Sequence, residues 1–222
     1  MNKLGGLIDW YERNRYNSLF ISIVLLILTP PFLFELPILS VVIYILLSIV
    51  ILNCINIIIR GRHKPIVLWI VGSFVLVYTW VNFLVVEKPI LMSLLGNAFL
   101  VLVFGLAFSR LVKEIFNYKK VTGHIVLGAI AAYLLLGLMG AFLFDVIEIL
   151  YPESFNTARI FTGFYQEIYL SFITISTLGY GDITPITPQG QAAAIFVAIT
   201  GQLYLAILMA MLVGKFLKDS DW

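Results

Sequence analysis

The sequence predicts an all-α membrane protein of six crossing helices and one short re-entrant helix with its loop. Three observations carry that prediction. The chain is 61% hydrophobic and only 12% charged over 222 residues, with a mean hydropathy of +1.03, a profile foreign to a water-soluble domain of this length. Apolar runs lie at 18–35, 37–59, 66–86, 89–109, 122–149 and 188–217, each close to or above the roughly 20 residues a helix needs to cross the hydrocarbon core. Of the 14 Lys and Arg residues, all but Lys88 and Arg159 fall in segments that six spans place on one side. Basic residues mark the cytoplasmic side, so both termini are expected in the cytoplasm of a plasma-membrane protein.

Residues 1–17 are expected to form a cytoplasmic N-terminal segment. Leu4, Leu7, Ile8 and Tyr11 recur at helical spacing beside Trp10 and Tyr16, which suits an amphipathic helix over 3–16 lying on the membrane; a frayed tail is the other reading. The first run ends at Pro30-Pro31, which break or kink a helix, and not at a small-x-small site, so no cleavable signal is read here. Residues 18–109 hold four runs. Their main polar residues, Asn53, Asn56, Ser73, Asn82, Ser93 and Asn97, suit hydrogen bonds between helices. The single cysteine, Cys54, excludes an intrachain disulfide and reads as a small buried residue. His63 and His124 titrate near neutrality in general, but an interfacial histidine without special role is the simpler reading. Residues 110–121 form an interfacial linker, with Leu111, Val112, Ile115 and Phe116 on one face and Arg110, Lys113, Glu114, Asn117 and Lys120 on the other.

The segment Thr174-Ile175-Ser176-Thr177-Leu178-Gly179-Tyr180-Gly181-Asp182 lies between the last two runs. Glycines free the backbone to turn successive carbonyls toward one axis, and rings of carbonyls from four such loops replace the hydration shell of a potassium ion. With its flanking helices, at 122–217, this segment resembles the pore module of tetrameric potassium channels. The resemblance implies an outer helix, a pore helix over 165–176, a filter and an inner helix, assembled as a homotetramer in membrane lipid. It assigns K+ coordination to Thr177, Leu178, Gly179, Tyr180 and Gly181, with Thr177 innermost. Asp182, Thr174 and Tyr169 become supports behind the filter. Three departures stand out: Leu178 where valine is commonest, Tyr169-Leu170 where a tryptophan pair is frequent, and Ile173 where some relatives carry glutamate. Leu170 cannot hydrogen-bond the filter tyrosine, and carboxylate-based inactivation does not transfer to Ile173. Glu167 falls in the pore helix's first turn, where a negative charge suits the dipole.

On the inner helix, Gly201 stands where the family places its hinge. A bend and close packing against a neighbour both explain a glycine there. Gln202, Leu205, Ala206 and Met209 recur at i, i+3, i+4 and i+7 and make one stripe, the candidate cavity lining; a glutamine at membrane depth needs water or a partner helix. Gly214 and Lys215 mark the helix's cytoplasmic end, and residues 218–222 form a short tail, so no soluble gating module is expected.

The four front runs occupy the place of a voltage sensor, yet Pro89 to Ser109 holds no charged residue, and a sensor needs arginines there. The linker is then expected to anchor the pore or to transmit tension or lipid binding. Glu35, Glu87, Asp145, Glu148, Glu153, Glu167 and Asp182 outnumber Lys88 and Arg159 on the outer side, which favours cations there. No phosphate loop, metal cluster or nucleophile constellation occurs. Neither enzymatic function nor a cofactor is expected, and the basic residues read as topogenic, not nucleic-acid binding.

Overall fold

The computed structural model describes residues 14–33, 36, 38–59, 65–85, 89–118, 122–157 and 164–219. The expected surface helix over 3–16 falls outside them up to residue 13, as do Arg60 to Lys64, Glu35, Glu87, Lys88, Lys119, Lys120 and Arg159. The chain is a helical membrane protein: α1 (Arg15–Phe32), α2 (Leu39–Ile59), α3 (Pro65–Leu84), α4 (Ile90–Asn117), α5 (Gly123–Leu150), α6 (Tyr165–Ile175) and α7 (Pro188–Asp219). Five of these, α1, α2, α4, α5 and α7, are long and apolar enough to cross a membrane; in α3 the described apolar stretch is Gly72–Val81.

α1 carries Pro30 and Pro31 in its last turn and ends at Phe32, where Leu33 N–H bonds to Pro30 O. The prolines thus close the helix without kinking its body. α4 runs unbroken to Asn117. The linker expected at 110–121 is therefore, through Asn117, the last two turns of α4. Nothing in 105–112 breaks a helix, and the apolar face of Leu111 and Ile115 continues that of Val103, Phe104 and Ala107.

α5 is the hub. It packs on α1, α4, α6 and α7, and its buried set includes Gly128, Ala129, Ala131, Ala132, Gly137, Gly140 and Ala141. In lipid no hydrophobic force draws helices together, so close approach over small residues supplies the contact energy. Larger side chains such as Phe104, Leu135, Leu138 and Ile168 fill the spaces between, each fully buried. The front helices add polar ties. Ser18 Oγ donates to Asn53 Oδ1 at 2.9 Å, and Asn53 Nδ2 donates to Ser22 Oγ at 3.1 Å.

α6 has 11 residues, about 16 Å of helix at 1.5 Å per residue, so it enters the roughly 30 Å core only part way. Two short strands flank the loop it supports. β1 (Phe155–Thr157) pairs antiparallel with β2 (Ile183–Pro185), in register Phe155↔Pro185, Asn156↔Thr184 and Thr157↔Ile183. This ribbon ties the chain entering α6 to the chain leaving the loop that follows it.

Candidate functional site: the loop after α6

The loop from Thr177 to Gly181 is set by α6 and by an alternation of backbone hand. Thr177 has φ +62°, Gly179 +51° and Gly181 +80°, while Leu178 and Tyr180 keep negative φ. Such alternation turns successive peptide planes so that their carbonyls can share one side. Glycine takes the left-handed region without penalty, whereas at Thr177 that conformation is strained by about 1–2 kcal/mol. The strain is held from behind: Thr177 N–H bonds to Thr174 O at 3.0 Å, and Gly179 N–H reaches Ile173 O at 3.0 Å.

The expected supports lie beside this loop. Tyr169 Oη donates to Asp182 Oδ2 at 2.5 Å, and Asp182 Oδ1 accepts from Ile183 N–H at 3.0 Å. The acid thus bridges α6 and β2. Thr174 Oγ1 donates within its own helix, to Leu170 O at 2.7 Å, and Leu170 is buried among Phe144, Phe155 and Ile183. α6 is fixed to α5 by Ser171 Oγ donating to Gly137 O at 2.6 Å, and by Tyr133 Oη donating to Ile175 O at 3.0 Å. Tyr165 Oη donates to Ile27 O of α1 at 3.0 Å. None of these three ties was expected from sequence. A hydroxyl in an apolar run signals a bond, but not which helix lies opposite.

α7 starts cleanly. Thr187 Oγ1 accepts from Gly190 N–H at 3.1 Å and Pro188 takes the first helical position, the usual threonine cap and proline start. Gly201 is buried against the end of α6, and a Cβ there would come within 2.7 Å of Ile175 O. α7 continues as helix through Gly201 and Gly214 to Asp219. Of the two roles open for Gly201, the contact is the one visible here. Gln202, Leu205, Ala206 and Met209 are all exposed on the single chain, together on the face turned away from α4.

The acidic residues of this side are less free than the sequence suggests. Asn97 Nδ2 of α4 donates to Asp145 Oδ2 at 2.6 Å. Glu148 accepts from Glu153 N–H at 2.9 Å and from Ser154 N–H at 3.1 Å, which holds Glu153 at φ +63°. Glu167 does sit in the first turn of α6, with its Oε2 buried and unbonded among the described residues. Asp145, Glu148 and Asp182 thus keep their charges while each also serves as an acceptor inside the fold.

At the opposite end, α4 is bound on two sides. Arg15 Nη2 donates to Glu114 Oε2 at 2.7 Å, Tyr16 Oη donates to the same oxygen at 2.5 Å, and Arg110 Nε lies 3.3 Å from Glu114 Oε1. Lys215 Nζ of α7 donates to three carbonyls at the end of α4: Ile115 O at 2.8 Å, Phe116 O at 2.9 Å and Tyr118 O at 2.7 Å.

Membrane-crossing α5 and α7, a partial helix between them, and a loop of alternating hand after it define a pore-loop membrane protein. Residues 125–218 match the ion channel family, and this part of the chain is similar to proteins named as potassium channels. It is 37% identical over 68 residues to a candidate potassium channel protein of Bacillus subtilis, a match covering 31% of this chain and 19% of that protein. It is 31% identical over 87 residues to a voltage-gated potassium channel of Aeropyrum pernix, covering 39% of this chain and 28% of the relative. With potassium channel K1 of Plasmodium berghei it shares 39% over 61 residues, 27% of this chain and 3% of the relative. The chain thus spans less than a third of each of these relatives. No solved structure matches it.

Proposed function

We propose that four copies of this chain form a pore that passes K+ selectively and passively down its gradient. The observation that supports this most is the alternating backbone of Thr177, Gly179 and Gly181. In this reading the carbonyls of Thr177, Leu178, Gly179 and Tyr180, with the Thr177 hydroxyl, replace the ion's water, and Gly181 closes the outer end. Tyr169 and Asp182 brace the loop, and Thr174 holds the amide of Thr177. In the most apolar 18-residue window of α7 only 11% of residues are buried, and Leu178 and Tyr180 are 54% and 69% exposed, as expected of surfaces that meet neighbouring copies. Gln202, Leu205, Ala206 and Met209 then line the central cavity.

Residues 122–217 are the pore module, and 18–109 hold the four front spans, the third of them around α3. These spans do not sense voltage through their own charges: the last basic residues of α4, Arg110 and Lys113, lie beyond its apolar stretch. The basic ends carry both termini into the cytoplasm from the plasma membrane.

The test is the reversal potential of the reconstituted full chain with potassium on one side and sodium on the other. We expect a value near the potassium equilibrium potential. Gly179→Ala should abolish selective current, because an alanine at φ +51° adds about 1–2 kcal/mol of strain in each of four loops. A wild-type reversal near zero overturns selectivity and points to Leu170, which offers the filter tyrosine no hydrogen bond.

A further inference from the structure

We propose that the cavity between α4, α5 and α7 is a binding site for one acyl chain of an anionic membrane lipid, with the head group at Lys113. The cavity has a volume of about 320 Å³, at the lower end of the range for ligand sites. Phe108, Val112, Phe116, Tyr204, Ile207 and Met211 form most of its wall. Among the described residues the wall offers no free hydrogen-bonding group. Tyr204 Oη is spent on Ala129 O at 2.7 Å, and Thr200 Oγ1 on Phe196 O at 2.7 Å. A polar ligand or ordered water would lose its hydrogen bonds there, so the occupant is hydrocarbon. All three walls belong to helices long and apolar enough to cross a membrane, which makes lipid chains the surrounding solvent.

Next to the cavity, at the end of α4, the polar groups bond one another. Lys215 Nζ bonds the carbonyls of Ile115 and Phe116, both of which line the site, and that of Tyr118. Those three bonds occupy all three ammonium protons. Arg110 is engaged by Glu114. Lys113 is exposed one turn before Phe116 and about 60° round α4 from it, outside the cavity wall but within a side chain's reach of its edge, so a lipid phosphate can meet it while the chain enters past Phe116. A second copy of this chain is the other conceivable occupant, but the geometry disfavours it. Tyr204 and Gln202 lie about 200° apart round α7 at 100° per residue. Copies gathered round the filter loop meet the face of Gln202, not the face of the cavity.

The site has a mechanical consequence. It separates α4 from the half of α7 that ends at Lys215, so a chain within it bears on both helices just above their mutual tie. Filling or emptying it shifts the inner helix against α4.

The experiment uses the full chain in phosphatidylcholine vesicles containing phosphatidylglycerol with a mid-chain diazirine. The vesicles are irradiated and the adducts mapped by peptide mass spectrometry. This readout needs no current, so it stands or falls separately from potassium selectivity. Adducts are expected to concentrate in 108–116 and 200–211, and to fall at least fivefold in Ile207→Trp, which fills the cavity. Met211→Phe, filling it from another point, should lower them in the same direction. Lys113→Gln should reduce labelling by the phosphatidylglycerol probe more than by a phosphatidylcholine probe of the same chain. Equal loss with both probes overturns the head-group assignment. Labelling that follows surface exposure at Leu102, Leu106 and Ile195, unchanged by either filling variant, overturns the site. So does a disulfide between copies from Phe116→Cys paired with Ile207→Cys, which would show a second copy in the cavity.

Discussion

At Gly201 two opposing energies meet in one side-chain position. Alanine in place of a helical glycine ordinarily stabilises by about 1 kcal/mol. Here the added Cβ would lie 2.7 Å from Ile175 O, the carbonyl that also accepts from Tyr133 Oη two residues before Thr177. Overpacking of this kind costs about 1–3 kcal/mol, and the neighbour is backbone, which cannot swing aside. Gly201→Ala should therefore lower the thermal midpoint of the purified protein by several degrees and weaken ion occupancy at the filter. An unchanged or higher midpoint, with altered opening alone, would return Gly201 to the role of a hinge. At this scale the unusual backbone of the loop after α6 was legible in sequence, because closely spaced glycines state a backbone requirement, and Gly179 and Gly181 do take positive φ. The pairing of Asn97 with Asp145 was not. Sequence displays both polar residues but not that α4 and α5 set them opposite one another, and Asp145 reads instead as part of an acidic surface.

The contact between α4 and α7 shows how an element end is made secure. The last carbonyls of a helix have no partner within it and carry its negative dipole. Lys215 satisfies three of them at the end of α4, while Arg15 and Tyr16 hold the preceding turn through Glu114. Lys215→Met should free that end: amide hydrogen exchange over 111–118 should quicken about tenfold, the equivalent of 1.4 kcal/mol, while 96–104 stays as it was. Lys215→Arg should retain most of the protection. Exchange unaltered in the methionine variant would show the three bonds to be energetically idle. Among the elements, five of the six expected spans and the partial helix were legible from hydropathy and length: α6 begins where expected, at Tyr165, and ends one residue early. The ribbon of β1 and β2 was not, since three residues are too few to show an alternating pattern. The continuity of α4 past residue 109 was hidden because a change from apolar to amphipathic pattern looks like a boundary. It marks only where the helix leaves hydrocarbon.

For the whole molecule, the distribution of burial poses a problem that one copy cannot solve. In their most apolar 18-residue windows, 67% of α5's residues are buried and only 11% of α7's, though the two are similarly apolar and flank the same loop. The exposed side of α7 carries Gln202, a residue that hydrocarbon does not solvate. A single loop also presents carbonyls to one side of an ion and leaves the other sides open. The proposed closed tetramer would answer all three at once, since fourfold symmetry would surround the axis with one carbonyl per copy at each level. Native mass spectrometry should accordingly find four chains per particle. A functional count is sharper. If wild-type and Gly179→Ala chains are co-expressed in equal amounts, and one altered loop spoils a ring, the potassium-selective current should fall to roughly one sixteenth, the share of particles with four intact loops. A fall to about one quarter would mean two loops per pore, and a fall to one half a pore within each chain. Either result would leave the exposed face of α7 to lipid and Gln202 without the water-filled cavity that justifies it.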